Sequence, residues 1–210
     1  MGPMPTEPTV SLAERKRLLV AGELTESALQ LLAQKGFDAV TVDEIAAAAG
    51  VSKRTFFRYF ASKEDVVVQF LSGMGSDIHA ALAGRPAAEP ASLSLRHAVA
   101  VPLLACTHAH PDHAARALNV VRLILGTPAL LARFLERQAA WQETLAEELA
   151  RREGRAAPAD LYPRLAAGTA LVAFRTALQR WSESGAAEDP TVLLDRAFAV
   201  VAPALDAHDR

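Results

Sequence analysis

The 210 residues predict an all-α protein of about nine helices. Two observations carry that reading. Apolar residues make up 51% of the chain and recur at three- and four-residue spacings, with almost no alternating β-branched runs. The breaks between these stretches fall on Ser, Thr, Asp, Gly and Pro, the residues that start and stop helices. The punctuation divides the chain into a Pro-rich tail (1–11), a three-helix part (12–62) and a larger helical part (63–210). The tail lacks an apolar signal core and reads as disordered.

The first helix is expected from about Leu12 or Glu14 to Lys35, with Leu24, Ala28, Leu31 and Leu32 as its buried stripe and Gly36 as its stop. Thr41 with Glu44 three residues later is a capping box, and Val42, Ile45, Ala46 and Ala49 share one helical face. Gly50 then suits the positive φ of a turn, and Ser52 caps a further helix that begins Lys53-Arg54-Thr55. A turn this short forces a steep crossing, the geometry of a DNA-binding helix-turn-helix. Phe56 and Phe60, four apart, anchor the second helix inward, which leaves Lys53, Arg54, Thr55, Arg58 and Tyr59 facing out.

Between Ile45 and Lys63 there is no acidic residue but four Lys or Arg, so this surface is expected to be positive although the chain's formal net charge is −2. A seven-residue helix is only about 10 Å long. One copy therefore reads roughly four base pairs of major groove, and useful specificity requires two copies.

Downstream, a fourth helix is expected from Lys63 to about Leu82, followed by a loop at residues 84–90. Further helices run from Ser92 to about Ala109, from Pro111 to about Leu125, from Pro128 to about Glu153, from about Ala159 to Ser184 and from Pro190 to about Asp206. Proline at the first helical position explains three of these starts. The last two helices are apolar in more than one direction: Leu165, Leu171, Val172, Phe174, Leu178 and Trp181 in one, Val192, Leu194, Phe198, Val201 and Leu205 in the other. Helices of that kind must be covered on more than one side, so they predict a subunit interface, with Leu171, Leu178, Trp181, Leu194, Phe198, Val201 and Leu205 in it.

One motif argues for chemistry. His108-Ala-His110-Pro-Asp112-His113 matches the H-x-H-x-D-H run of zinc hydrolases of the metallo-β-lactamase superfamily, and clustered imidazoles with a carboxylate suit Zn²⁺. That motif belongs in a loop after a strand and needs further ligands downstream, whereas Pro111 and Asp112 here read as the first turn of a helix. No G-x-S-x-G, P-loop or Gly-rich dinucleotide fingerprint occurs, so neither an enzyme nor a cofactor or resident metal is expected. Cys106, the single cysteine, excludes an internal disulfide, and its apolar surroundings predict an inert thiol. No apolar run is expected to reach the roughly 18 residues that span a bilayer, which predicts a soluble cytoplasmic protein with no membrane partner.

Residues 41–64 resemble the TetR family of bacterial transcription regulators, through Thr41-Val-Asp-Glu-Ile-Ala, Ala49-Gly-Val-Ser52, Thr55-Phe-Phe-Arg-Tyr-Phe60 and Ser62-Lys63-Glu64. The resemblance implies phosphate contacts from Thr41, Thr55, Tyr59 and Lys63, with Ser52, Lys53 and Arg54 nearest the base edges. Phe57 stands where the family usually carries a Tyr whose hydroxyl reaches the DNA backbone; Arg54 and Arg58, four apart on one face, can offset that loss through a phosphate or a guanine. It also implies a ligand-responsive repressor that binds a palindromic operator as a homodimer, through two helices from each subunit, and is released by a small-molecule effector. The effector pocket would lie among the helices after residue 63, and the larger or polar residues there are the candidates for lining it: Met74, Ile78, His108, Arg122, Phe134, Trp141 and Phe174. Arg122, if buried, needs an anionic partner such as Glu136 or an acidic ligand. A zinc hydrolase and a helical dimer without a DNA role are the alternatives to be tested.

Overall fold

A computed structural model describes residues 11–107, 111–154 and 160–209. Among them the chain forms α1 (Leu12–Lys35), α2 (Val42–Ala48), α3 (Lys53–Tyr59), α4 (Lys63–Ala83), α5 (Ala91–Thr107), α6 (Pro111–Gly126), α7 (Pro128–Glu153), α8 (Leu161–Glu183) and α9 (Pro190–Leu205), then a 3₁₀ turn at Asp206–Asp209. No strand occurs among the described residues. The chain divides into two compact units, Met1–Val66 and Val67–Arg210, so the division falls inside α4 rather than before it.

The first unit is built as its caps dictate. Thr41 accepts from the Glu44 N–H at 3.3 Å, and the Glu44 carboxylate accepts from the Thr41 N–H at 2.9 Å, so each satisfies a backbone donor at the start of α2. Gly50 takes φ 66°, and the Val51 N–H returns to the Ala46 carbonyl at 2.9 Å, closing the turn into α3. Leu24, Ala28, Leu32, Phe37, Val40, Ile45, Phe56 and Phe60 form the core. Phe56 lies 5.4 Å from Phe60 between ring centroids, so the four-residue spacing does anchor α3.

In the second unit α8 packs between α7 and α9, and α5 lies against both α8 and α9. The core is filled by Leu95, Val99, Leu103, Leu130, Phe134, Leu145, Leu149, Phe174, Trp181, Leu194 and Phe198. Polar ties hold the loops onto it. Asp206 accepts from the Ser92 N–H at 3.0 Å and from its hydroxyl at 2.7 Å, joining the far end of α9 to the start of α5. The Arg152 guanidinium donates to the carbonyls of Leu82, Arg85 and Pro86 at 2.7, 2.8 and 2.8 Å and to Ser94 Oγ at 3.0 Å. The Leu82 and Pro86 carbonyls also accept the Arg85 and Glu89 N–H groups at 3.1 Å, so one side chain on α7 adds a charged donor to the end of α4, the loop after it and the start of α5. Arg152→Ala is expected to cost about 2 to 4 kcal/mol, because it leaves part-buried carbonyls without a charged donor. At roughly 2 to 4 °C per kcal/mol for a unit of this size, the melting temperature of the second unit should fall by about 5 to 15 °C.

Glu44 and Glu89 hold depressed carboxyl groups, one in each unit. Lys35 at 2.8 Å and the Thr41 donors pull Glu44 from the ordinary 4.5 to about 2. Arg85, with help from Ser94 Oγ at 2.7 Å, does the same for Glu89. A carboxyl whose folded pKa lies below its unfolded one adds stability that is complete above pH about 4.5 and lost as pH falls towards 2. Glu44→Gln and Glu89→Gln should each flatten the melting temperature against pH curve over that window.

One expectation about the membrane is corrected. α4 is long enough, with a stretch of mean hydropathy 1.2, to meet the length and composition of a membrane span. Val66, Val67, Val68, Phe70, Leu71 and Ile78 supply the apolar character, and Gln69, Ser72, Ser76 and Asp77 interrupt the run in sequence. Val66, Val67, Leu71, Ile78 and Leu82 bury one face of it in the fold, as in a core helix.

Candidate functional site

α3 presents its polar residues outward because Phe56 occupies the inward position and the caps are local. Ser52 Oγ accepts from the Thr55 N–H at 3.1 Å and lies 2.9 Å from Thr55 Oγ1. Lys53, Arg54, Phe57 and Arg58 are exposed, and Thr55 and Tyr59 are half-buried. The Arg58 guanidinium sits 5.1 Å over the Tyr59 ring and donates to its hydroxyl at 3.3 Å, which holds both side chains on one side of the helix. Phe57, at 49% exposed, stands edge-on to Phe56 with its ring bare to solvent beside these cations. A helix with three exposed cations and an exposed aromatic ring is a surface shaped for a polyanion with flat bases.

Two of the expected cations are placed differently. Lys53 pairs with Asp43 of α2 at 2.9 Å, so the basic face has an acidic neighbour just upstream of the stretch that lacks one. Both side chains are more than half exposed, and a surface pair of this kind is worth about 0 to 1 kcal/mol, little enough to be exchanged for a phosphate. Lys63 is half-buried and donates to the carbonyls of Phe37 at 2.6 Å and Val40 at 3.1 Å, with its ammonium 4.5 Å over the Phe37 ring. Two of its three donors are committed within the unit. Its first duty is to close the loop before α2, and only one N–H is left for a phosphate. Thr41 is exposed, with its hydroxyl already bonded to Glu44.

In the second unit the residues proposed for an effector pocket scatter. Ile78, Phe134, Trp141 and Phe174 are core, and Phe134 meets Trp141 edge to face at 6.0 Å. Met74 is half-buried, and His108 lies outside the described residues. Arg122 is exposed rather than buried and caps the end of α8 by donating to the Ser182 carbonyl at 3.2 Å, while Glu136 pairs with Arg133. Of this set, Trp141 lines a cavity, a cleft of about 280 Å³ between α4 and α7 with Ser72, Ser76, His79 and Arg137. Sequence reasoning passed over His79 and Arg137. The signal was there, in matching stripes at 72, 75, 76, 79 and 137, 140, 141, 144.

Most of the residues expected in the interface pack within the protomer. Leu171, Leu178, Trp181, Leu194, Phe198 and Leu205 are buried inside the protomer, and of the seven only Val201 is partly open. What faces outward is a second stripe, Leu161, Leu165 and Val172 on α8 with Val192 and Val200 on α9. Between the two helices lies a shallow groove of about 590 Å³ floored by Gly168, Ala173 and Ala197. The protomer's own core claims most of the apolar side chains expected in the interface, and Leu161, Leu165 and three valines are left outside.

His108 and His110 of the metal-like run lie outside the described residues. His113 Nδ1 is buried without a hydrogen-bond partner among the described residues, and no group of three or more potential ligands occurs among them. Cys106 donates to the Pro102 carbonyl at 3.1 Å, and burial pushes its thiol up to about 11, so it carries no thiolate at neutral pH.

A capped, basic seven-residue helix carried on a three-helix unit, joined to a larger all-helical unit, defines a helix-turn-helix transcription regulator. Residues 24–70 match the family model of bacterial regulatory proteins of the tetR family, and residues 90–206 match that of the MftR C-terminal domain. The chain belongs to the TetR family. It is 34% identical over 199 residues to the mycofactocin biosynthesis transcriptional regulator MftR of Mycobacterium tuberculosis, covering 95% of this chain and 98% of that one. It is 33% identical to the transcriptional regulator TcmR of Streptomyces glaucescens over 81% of this chain and 76% of TcmR. Among solved structures it shares its fold with FadR of Bacillus halodurans (TM-score 0.62, 20% identity, 94% and 96% coverage). FadR of Bacillus subtilis in complex with stearoyl-CoA is similar too (0.61, 18%, 86% and 97%).

Proposed function

We propose that this chain is a cytoplasmic, non-enzymatic repressor that binds a palindromic operator as a homodimer and leaves it when a small molecule binds the second unit. The exposed basic face of α3 carries the reading. Arg54 and Lys53, at the start of the helix, are assigned to base edges with Ser52; Thr41, Thr55, Arg58 and Tyr59 to phosphates; and Phe57 to packing against the sugar-phosphate backbone. Lys63 supports the reading helix first and contacts a phosphate second. Residues 12–66 are then the DNA-binding part and 67–210 the effector-binding and dimerisation part. The outward stripe of α8 and α9 is assigned to a second copy of this chain, because small residues flanked by exposed Leu and Val suit close packing of helix pairs.

Fold neighbours solved with stearoyl-CoA and lauroyl-CoA make acyl-CoA thioesters the first effector class to try. The test is a footprint on the DNA flanking the chain's own coding region, repeated with lauroyl-CoA. A protected inverted repeat that is lost on adding the thioester supports the proposal. Equal affinity for unrelated DNA would overturn it. Lys53, Arg54 and Arg58 bring six positive charges per dimer against the phosphate backbone, whichever atoms they bond, so log K should fall with log salt at a slope of about −5.

A further inference from the structure

The cleft between α4 and α7 is more polar than packing requires. Ser72, Gly75, Ser76 and His79 share one face of α4, Arg137, Ala140, Trp141 and Thr144 share one face of α7, and no acidic side chain lines the space between them. Gly75 makes the approach possible, since a Cβ there would lie 2.0 Å from Trp141 Nε1. Trp141 is 4% exposed, yet among the described residues its indole N–H has no acceptor. Arg137, half-buried in the same wall, has no carboxylate partner among them either. Both donors open onto the cleft, where nothing among the described residues takes them up and a ligand can. The Ser72, Ser76 and Thr144 hydroxyls donate to carbonyls of their own helices, and the neutral lone pairs they keep carry no charge to balance Arg137. Glu148, the buried carboxylate of α7, has both oxygens held by Arg151 at 2.8 and 2.6 Å.

Two unsatisfied donors and an imidazole, around about 280 Å³, lack an acceptor of negative charge. We propose that this cleft binds an oxyanion, a phosphate or a carboxylate, with Arg137 as its bidentate partner and the Trp141 N–H as a second donor. The volume is just under the roughly 300 to 1,000 Å³ of a site for a whole drug-sized ligand, so the cleft takes the charged head of an effector rather than all of it. The consequence for DNA rests on the effector-responsive reading above, but anion binding itself does not, and it is measured without DNA.

Titration calorimetry of the full chain with inorganic pyrophosphate and, separately, with succinate, in a phosphate-free buffer, tells the two anion classes apart. Saturable one-site binding of at least one anion is expected. It should weaken at least tenfold in Arg137→Gln, recover in part in Arg137→Lys, and weaken severalfold in Trp141→Phe, which keeps the ring and loses the N–H. Unchanged melting temperatures of the variants would show that the fold is intact. Binding of neither anion, or equal affinity in Arg137→Gln, would overturn the proposal. If the anion binds through Arg137 but leaves DNA affinity unmoved, the site stands and the effector reading of it fails.

Discussion

Arg54→Ala is expected to lower affinity for the operator by roughly 30-fold to 10⁴-fold while leaving the melting temperature unchanged. The side chain is exposed, at the start of α3, and makes no tie within its unit, so its loss costs the fold nothing. A bidentate contact to a guanine discriminates by about 1 to 3 kcal/mol, and a homodimer loses it twice, about 2 to 6 kcal/mol in all. Binding to random DNA should fall far less, because one charge among several phosphate contacts is removed. Fluorescence anisotropy with operator and scrambled duplexes reads both numbers. A fall of equal size on both would move Arg54 from the bases to the backbone. Lys63→Ala makes the contrast: with the Phe37 and Val40 carbonyls left without their donor, the first unit should lose stability before it loses affinity.

Val200→Asp is expected to give a folded monomer that no longer binds its operator tightly. Val200 is 78% exposed in the protomer, so a carboxylate there stays solvated and costs the fold less than about 0.5 kcal/mol. In a dimer packed on this face the same carboxylate, with its counterpart, would be buried without a partner, at a cost of several kcal/mol. One head alone reads about four base pairs, so affinity should drop into the non-specific range of about 10⁻⁴ to 10⁻⁶ M. Trp181→Ala is the control. That ring is 1% exposed, and its removal should destabilise the protomer by about 3 to 5 kcal/mol, unfolding it rather than dissociating it. Sedimentation velocity with a melting curve separates the two results, and a Val200→Asp dimer would place the interface elsewhere.

Local chemistry was legible in the chain and long-range competition was not. Thr41, Glu44, Gly50 and Ser52 act within a few residues of themselves, so the capping box, the turn and the start of α3 could be read from spacing alone. Pro128 and Pro190 begin their helices for the same reason. Lys63 looked like a phosphate ligand because nothing near it in sequence shows that the carbonyls of Phe37 and Val40, some 25 residues earlier, accept two of its hydrogen bonds. Arg122 likewise finds the Ser182 carbonyl 60 positions away. Periodicity announced that α8 and α9 have two apolar faces. It could not say which face the protomer keeps, since that depends on what α5 and α7 bring against them.

Both tryptophans, Trp141 and Trp181, belong to the second unit, and the first holds Tyr59 as its sole other strong chromophore. Indole emission therefore reports on residues 67–210 and is blind to the reading head. An unfolding curve followed by that light and one followed by far-ultraviolet dichroism will part company whenever the two units melt at different temperatures. Such a gap would measure their independence; it would not by itself reveal a half-folded species within either one.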